Sequence, residues 1–336
     1  MHRFLFNHND KLPKVKQIVR AVILDIEKDV LQKGDRLPSI NEFSQQYSIA
    51  RDTVEKAYKE LKLSGHIISV ISKGYYVAGK QDNRIRVLLV FNKLSSYKKI
   101  IYDAILEALG DKARVDLQIH HYNPRLLKEI IEDNIGKYHY YVIMPHFFQD
   151  AKEKDYLGIF QKVPEHELII LDKNLPKLTG SYKAVYQDFK WDIYHALQSG
   201  ADLLKKYDSI TIIFPAHSNH PTEITEGVLQ FCNEQQLNFS VLTTIPDEPL
   251  AKGSVYIVVN ESDLALLIKK SRDLSLVPGK DLGIISFNET VLKELLDITV
   301  ITTDFEGMGQ TTADFILHKQ SGQLKNPFRM IRRNSL

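Results

Sequence analysis

Arg51, Asp52, Thr53, Glu55, Lys56 and Lys59 fall within RDTVEKAYKEL at spacings that put them on the outer side of a helix, opposite Val54, Ala57, Tyr58 and Leu61. Arginine can grip guanine O6 and N7 with two hydrogen bonds, and lysine neutralises phosphate, so this face has the chemistry of a duplex reader. A second set of polar groups lies further on, each just after a short apolar run. Asn92, Lys93, Ser95, Ser96 and Tyr97 follow the first run, Pro145, His146 and Phe147 the third, and Asp172 and Lys173 the fourth. Gln187, Asp188 and Phe189 come next, then His217 through Glu223, Asn260 with Glu261, and Asn288 with Glu289. Amides, carboxylates and hydroxyls beside aromatic rings suit a polyhydroxyl ligand, with paired hydrogen bonds for the hydroxyls and flat apolar surface for the C–H face.

Catalytic signatures are missing. The chain has no G-x-G-x-x-G, P-loop, H-E-x-x-H or G-x-S-x-G, and the strand-end acids come without a recognisable nucleophile and base pair. The expectation is no enzyme and no cofactor. His120, His121, His139, His146, His217 and His220 are lone loop or strand-end histidines rather than a metal set, so no metal is expected either.

Apolar spacing shows the elements that must carry these groups. Val15, Ile18, Val19, Val22, Ile23, Ile26 and Val30 form one stripe of an amphipathic helix ending before Gly34. Ser39 with Glu42 makes a capping box for a short helix that turns Ile40, Phe43 and Tyr47 inward, and Ser48 can cap a third helix that stops at Gly65. HIISVISKGYYVAG then reads as a hairpin about Ser72, Lys73 and Gly74. Three helices and a hairpin in this order are a winged helix-turn-helix. Beyond the polar bridge GKQDNR, near-continuous apolar runs alternate with helical stretches: IRVLLVF, VDLQIHHY, YYVIM and LIILD, then ITIIFP, SVYIVVN and LGIISF. Strands of this texture belong to parallel sheets covered on both faces, and two such series predict two similar lobes. Ligands of open parallel sheets bind beyond the carboxyl ends of the strands, where the second polar set stands.

Composition agrees with a globular protein of two or three domains: 336 residues, 43% hydrophobic and 26% charged. The single cysteine, Cys232, excludes an internal disulfide and suits a reducing cytoplasmic setting. MHRFLFNHNDKLPK has too short an apolar run for a signal peptide, and no run of about 18 apolar residues exists to span a membrane. Net charge is +2 overall, but residues 1–80 carry +5 and the remainder −3, which directs a polyanion to the head.

Residues 11–79 resemble the DNA-binding domain of the GntR family of bacterial transcription regulators. The shared pieces are G-D-R-L-P-S, the R-x-T-V start of the recognition helix, the A-Y-x-x-L core and the G-Y-Y-V wing. The resemblance implies that Arg36, Ser39, Asn41, Arg51, Thr53 and Lys56 lie on phosphates or bases, and that Lys73 and Gly74 form a wing tip near the minor groove. Ser48, Asp52 and Tyr75 complete the expected DNA-facing set. Asn41 and Glu55 stand where many members have arginine. Residues 84–334 resemble the sugar-responsive core of the LacI family, itself similar to periplasmic sugar-binding proteins. LIILDKNLP, AVYQDFKWDIYHALQSGADLL, YIVVNESDLALLIKKSRDLSLVPGKDLGIISFNE and DITVITTDFEGMGQTTADFIL carry that likeness. It implies effector contacts at Asp172, Asp188, Asn260 and Asn288; Asn288 replaces the more usual aspartate, keeping an acceptor without the charge. Where many relatives have a pocket arginine before Gly227, this chain offers His217, Asn219, His220 and Glu223.

The expected protein is therefore multidomain: a winged helix-turn-helix at 1–79, a linker at 80–84, and an α/β periplasmic-binding-protein-like body at 84–334. Family topology puts residues 84–186 and 301–320 in the first lobe and 187–300 and 325–334 in the second, with crossings near 186–188, 287–289 and 302–304. A head and body of these types are joined in arabinose-type repressors, and fucose-responsive regulators are a further candidate. That implies a homodimer that binds operator DNA and releases it when a monosaccharide, a pentose or 6-deoxyhexose such as L-arabinose or L-fucose, fills the cleft. The alternative is the same architecture answering to a phosphorylated metabolite or another non-sugar ligand; for a phosphate, Lys93, Lys98 and Lys99 could serve.

Overall fold

The computed structural model describes Phe4 and residues 13–78, 84–216 and 219–336. Two compact units divide the chain, Met1–Asn83 and Arg84–Leu336. Residues 80–83 of the expected linker, and His217, lie outside the described residues.

The first unit runs α1 (Lys14–Glu27), α2 (Ile40–Tyr47), α3 (Arg51–Leu63), β1 (Ile67–Val70) and β2 (Gly74–Val77). Ile18, Val22 and Ile26 of α1 meet Phe43 of α2 and Val54, Ala57, Tyr58 and Leu61 of α3 in one core. The Tyr58 hydroxyl, buried with its ring, donates to the Pro38 carbonyl at 2.9 Å and so pins α3 to the loop before α2. At the start of α2 the capping box is complete: Ser39 Oγ accepts from Glu42 N–H, and the Glu42 carboxylate accepts from Ser39 N–H. Two local expectations are corrected. Helix α1 stops at Glu27, because Asp29 turns left-handed (φ 56°) and Leu31, not the half-exposed Val30, enters the core. Ser48 does not cap α3; it closes α2 in the left-handed region (φ 52°), and Ala50 precedes α3. Gly65 takes φ 72° just past α3, where a Cβ would be strained.

The body begins with β3 (Ile85–Phe91), α4 (Ser96–Leu109), β4 (Ala113–Ile119), α5 (Pro124–Asn134), β5 (Tyr140–Ile143), α6 (Glu153–Phe160), β6 (Leu168–Lys173) and β7 (Lys183–Gln187). It continues with α7 (Phe189–Ser199), α8 (Ala201–Leu204), β8 (Ser209–Ile213), α9 (Glu223–Gln235), β9 (Asn238–Leu242), β10 (Ser254–Val258), α10 (Glu261–Asp273), β11 (Gly283–Phe287), α11 (Val291–Leu295) and β12 (Thr299–Thr303). Last come α12 (Phe305–Leu317), β13 (Gln323–Lys325) and β14 (Phe328–Ile331). Two sheets form the two lobes, in the orders β13-β7-β6-β5-β3-β4 and β14-β12-β11-β10-β8-β9. Within these two sheets every ladder among the described residues is parallel except β12 with β14. Residues Val87–Phe91 are wholly buried because helices cover both faces, the reason the strand reads as an unbroken apolar run.

The chain passes between lobes at Asp188, at Asp304 and at Asn326–Pro327. No crossing occurs at 287–289: β11 and β12 pair in parallel, Ile285 with Thr299 through Phe287 with Ile301, and α11 is only their short connection. Ile301–Thr303 accordingly finish a strand of the second lobe, and Lys325 ends a strand of the first. The C-terminal segment belongs to the second lobe through its last residue. Ser335 Oγ donates to the Ile284 carbonyl and accepts from Thr299 N–H, and Leu336 is buried. Asn326, 3% exposed, binds all three crossings: its N–H donates to the Tyr186 carbonyl, and its side-chain amide donates to Thr303 Oγ1 and the Asp304 carbonyl.

Candidate functional site

In the first unit the outer face of α3 is solvent-facing as its spacing requires. Arg51, Asp52 and Lys56 are exposed and Thr53 is half-buried at the helix start. Arg36, Asn41, Ser48 and Lys73 are also exposed. Residue 36 forms an antiparallel bridge with Tyr76, and the Arg36 guanidinium lies close beside Gly74, whose φ of 106° makes the wing turn. Two members of the expected set are turned to structural work: Ser39 spends its hydroxyl on the α2 cap, and the Tyr75 ring packs edge-on against Tyr58, centroids 4.9 Å apart.

In the body a cleft of about 750 Å³ opens where the carboxyl ends of the two sheets face each other. Its position follows from strand order. In the first sheet β3 lies between β4 and β5, and in the second β8 lies between β9 and β10, so each lobe has a topological switch point at that end. Asn92, Lys93, Ser95, Ser96, Tyr97, His146, Asp172, Gln187, Phe189, Asn260, Glu261 and Asn288 all line it. Four expected residues do not. The Phe147 ring stacks on Tyr156 at 4.3 Å within the first lobe. Lys173 and Glu223 pair with each other at 3.3 Å in a side groove, and Asp188 lies in that groove at the first crossing. His217 is outside the described residues.

The floor of the cleft is a buried polar cluster centred on Asp172, held at the end of β6 in the left-handed region (φ 75°). Its carboxylate accepts from His146 Nε2 at 2.8 Å and Gln187 Nε2 at 2.5 Å, and stands 3.4 Å from Lys98 Nζ. Lys98 also donates to Asn92 Oδ1 and to Met144 Sδ. Burial raises the Asp172 pKa, but Lys98, His146 and Gln187 together outweigh it and hold the carboxyl below its usual range. Burial, followed by the Lys98 charge, pushes His146 down to about 4 against the pull of Asp172; it is a neutral ring donating Nε2–H. Burial lowers Lys98 too, with Asp172 opposing. One positive and one negative group therefore neutralise each other at the base.

Asn288 sits at the end of β11 in the left-handed region (φ 65°), as Asp172 does at the end of β6. Asn260, at the start of α10, hydrogen-bonds His220 Nε2 at 3.2 Å, and burial lowers the pKa of that ring. Aromatic surface comes from Tyr97, Tyr122, Phe189, Phe287 and Phe305.

Sequence reasoning passed over Tyr122, Thr243, Thr244, Phe287 and Phe305 as lining residues, and weighed Lys98 only as a phosphate ligand. Tyr122 closes the second run, VDLQIHHY, three residues past the end of β4, so the strand-end rule contained the signal. Phe305 reaches the cleft because it opens α12 at a crossing. Nothing in spacing separates buried Lys98 from its neighbour Lys99, which pairs with Asp103 in solvent. Among the described residues no cluster of His, Cys, Asp and Glu could hold a metal ion, and no helix is long and apolar enough to cross a membrane.

Comparison with known proteins separates the two units. Residues 14–77 match the family described as bacterial regulatory proteins, gntR family. The HTH-type transcriptional repressor YtrA of Bacillus subtilis (strain 168) is 30% identical over 124 residues, 37% of this chain and 88% of that protein. A lac repressor dimer bound to operator and the anti-inducer ONPF superposes with a TM-score of 0.61 at 15% identity, covering 77% of this chain and 95% of that one. A periplasmic binding protein/LacI transcriptional regulator from Alkaliphilus metalliredigens QYMF, complexed with D-xylulofuranose, gives 0.55 at 14% identity over 74% and 98%. At such identities the structural likeness is one of fold.

Proposed function

Because the chain belongs to the gntR family of bacterial regulatory proteins and joins that head to a body of the Lac-repressor fold, we propose that it is a transcriptional repressor released from its operator by an uncharged monosaccharide. That it is a DNA-binding transcription regulator follows from the family itself, and the relatives and fold neighbours reported above are regulators.

The observation that carries the sugar reading is the balanced cleft floor. Lys98 and Asp172 cancel each other, His146 is neutral, and amides of Asn92, Gln187, Asn260 and Asn288 surround them with aromatic rings alongside. Each hydroxyl of a sugar both donates and accepts, which suits mixed amide and carboxylate partners. A phosphorylated effector would instead want unpaired cations at the base, and Lys98 is already paired. Isothermal titration against pentoses, 6-deoxyhexoses and their phosphates tests this. Binding of a free sugar with release of operator DNA is expected; tight binding of phosphorylated compounds alone overturns it.

Release works by differential affinity: a ligand that prefers one lobe spacing shifts the population toward it, and two heads spaced by a dimer lose register with their half-sites. The dimer is part of the proposal. Val291, Leu292 and Leu295 expose the apolar face of α11 and are suited to cover against a second copy. Sedimentation equilibrium at micromolar concentration checks it; a monomer that still bound a two-half-site operator tightly would remove the spacing mechanism.

A further inference from the structure

Lys293 contradicts its surroundings. It lies on α11 beside Val291, Leu292 and Leu295, which are 71%, 67% and 76% exposed, yet its own side chain is only 3% exposed. An amphipathic helix ordinarily turns its leucines inward and its lysine outward; here the order is inverted. The buried ammonium hydrogen-bonds three oxygens and stands 4.0 Å from a fourth, Glu261 Oε1. It donates to the Phe287 carbonyl at 2.7 Å and the Asn288 carbonyl at 2.9 Å, both at the end of β11, and to the Tyr97 hydroxyl at 3.2 Å. Tyr97 belongs to the first lobe, at the start of α4; the other two partners belong to the second. The Tyr97 hydroxyl in turn donates to Glu261 Oε1 of the second lobe at 3.1 Å, and its ring stacks on Phe305 at 5.4 Å. A chain of hydrogen bonds thus crosses the mouth of the cleft through one phenol.

We propose that Lys293 is a positioning residue, clipping Tyr97 of the first lobe to the Phe287–Asn288 turn of the second and so setting the lobe spacing and the orientation of two cleft-lining residues. The inversion has a physical reason on this view. Desolvating an ammonium is costly, and it is retained because three acceptors from two lobes converge on the one point it reaches. The clip is also built to respond to pH. Burial pushes Lys293 down to about 8, with Glu261 on α10 and Glu289 ahead of α11 opposing. Glu289 is itself engaged by Arg333 at 2.8 Å, and burial, then Glu261, raises the Tyr97 phenol, which stays protonated. A protonated Lys293 has three N–H donors for three oxygens; the neutral amine has two, so the clip loosens as pH rises through the folded value.

The test uses the whole chain and needs neither sugar nor DNA, so its failure is distinguishable from failure of the effector reading, on which the proposal rests only for the meaning of the cleft. Spin labels are placed at Glu107→Cys on α4 and Lys269→Cys on α10, both exposed positions, while Cys232 stays unlabelled because it is fully buried with its thiol pushed up to about 12. Labelled protein is diluted with unlabelled protein, so that only distances within one chain count. Pulsed dipolar spectroscopy should show one narrow interlobe distance in the parent. In Tyr97→Phe and Lys293→Met the distribution should broaden about twofold, the double variant adding nothing further because both residues serve one clip. Raising the pH from about 7 to about 9 should broaden the parent and leave Tyr97→Phe unmoved. Unchanged widths in both variants overturn the proposal. So does broadening in Lys293→Met alone, which would confine the lysine to its own lobe. If Lys293→Met fails to fold, Tyr97→Phe and the pH series decide the matter by the same outcomes.

Discussion

Exchange of Asp172 for asparagine keeps the shape of the side chain and removes one charge from the cleft floor. Lys98, its side chain 11% exposed, is then left without a counter-charge. At the observed 3.4 Å and an effective dielectric constant of about 20, the lost attraction is on the order of 5 kcal/mol. Removing one member of a buried pair costs about 3–5 kcal/mol, the same range. The amide oxygen can still accept from His146 or Gln187, so the loss does not add the whole desolvation cost of those groups. Asp172→Asn is expected to lower the melting temperature by on the order of 10 °C. Adding Lys98→Met should restore part of this, with the double variant at least about 2 kcal/mol more stable than the sum of the singles predicts. The pH dependence has a definite sign. The folded pKa of Asp172 lies below its ordinary 3.8, so its stabilisation is present above that value and is lost as pH falls through the folded one. The advantage of the parent over Asp172→Asn should therefore persist from neutrality down to about pH 4 and shrink below it. Urea unfolding of both proteins across this range is the assay. Equal midpoints at neutral pH, or strictly additive single and double variants, would refute the account of the floor as one coupled ion pair.

Arg51→Ala should weaken binding to an operator selected from random duplexes by about 1–3 kcal/mol, measured by fluorescence anisotropy, and leave cleft ligands unaffected; equal loss of both would misplace the recognition helix. Asn326→Leu removes two donated bonds at the crossings and leaves Thr303 Oγ1 and the Asp304 carbonyl without that donor. A cost of about 2–3 kcal/mol is expected in urea unfolding, and a neutral change would show the three crossings to be held otherwise. Gly309→Ala places a Cβ 2.7 Å from both Ala104 Cβ and the Ile101 carbonyl where α12 packs on α4. The overpacking should cost about 1–3 kcal/mol by the same assay, and no loss would mean the two helices separate freely.

Local physics carried much of this protein into its sequence. The Ser39–Glu42 box, the inward stripe of α3 and the glycines of the head are short-range devices, complete within a few residues. Strand runs such as Val87–Phe91 announce two covered faces because every second residue would otherwise be polar. The rule that ligands gather at strand ends then located most of the cleft. It failed where side-chain direction mattered: Phe147 follows a strand like its neighbours but turns into the lobe, and Asp188 begins a helix at a crossing rather than facing the cleft.

What the residues determined unaided was the kind of each unit, a basic winged head and a doubly covered α/β body, since periodicity, caps and charge act along the chain. Only the folded form decided which lobe owns Ile301–Thr303, why Asn326 joins three crossings, and why Lys98 and Lys293 are buried while Lys99 is not. Those outcomes depend on acceptors brought from distant segments, and a side chain's partner across about 200 residues of chain leaves no trace in its neighbours' spacing.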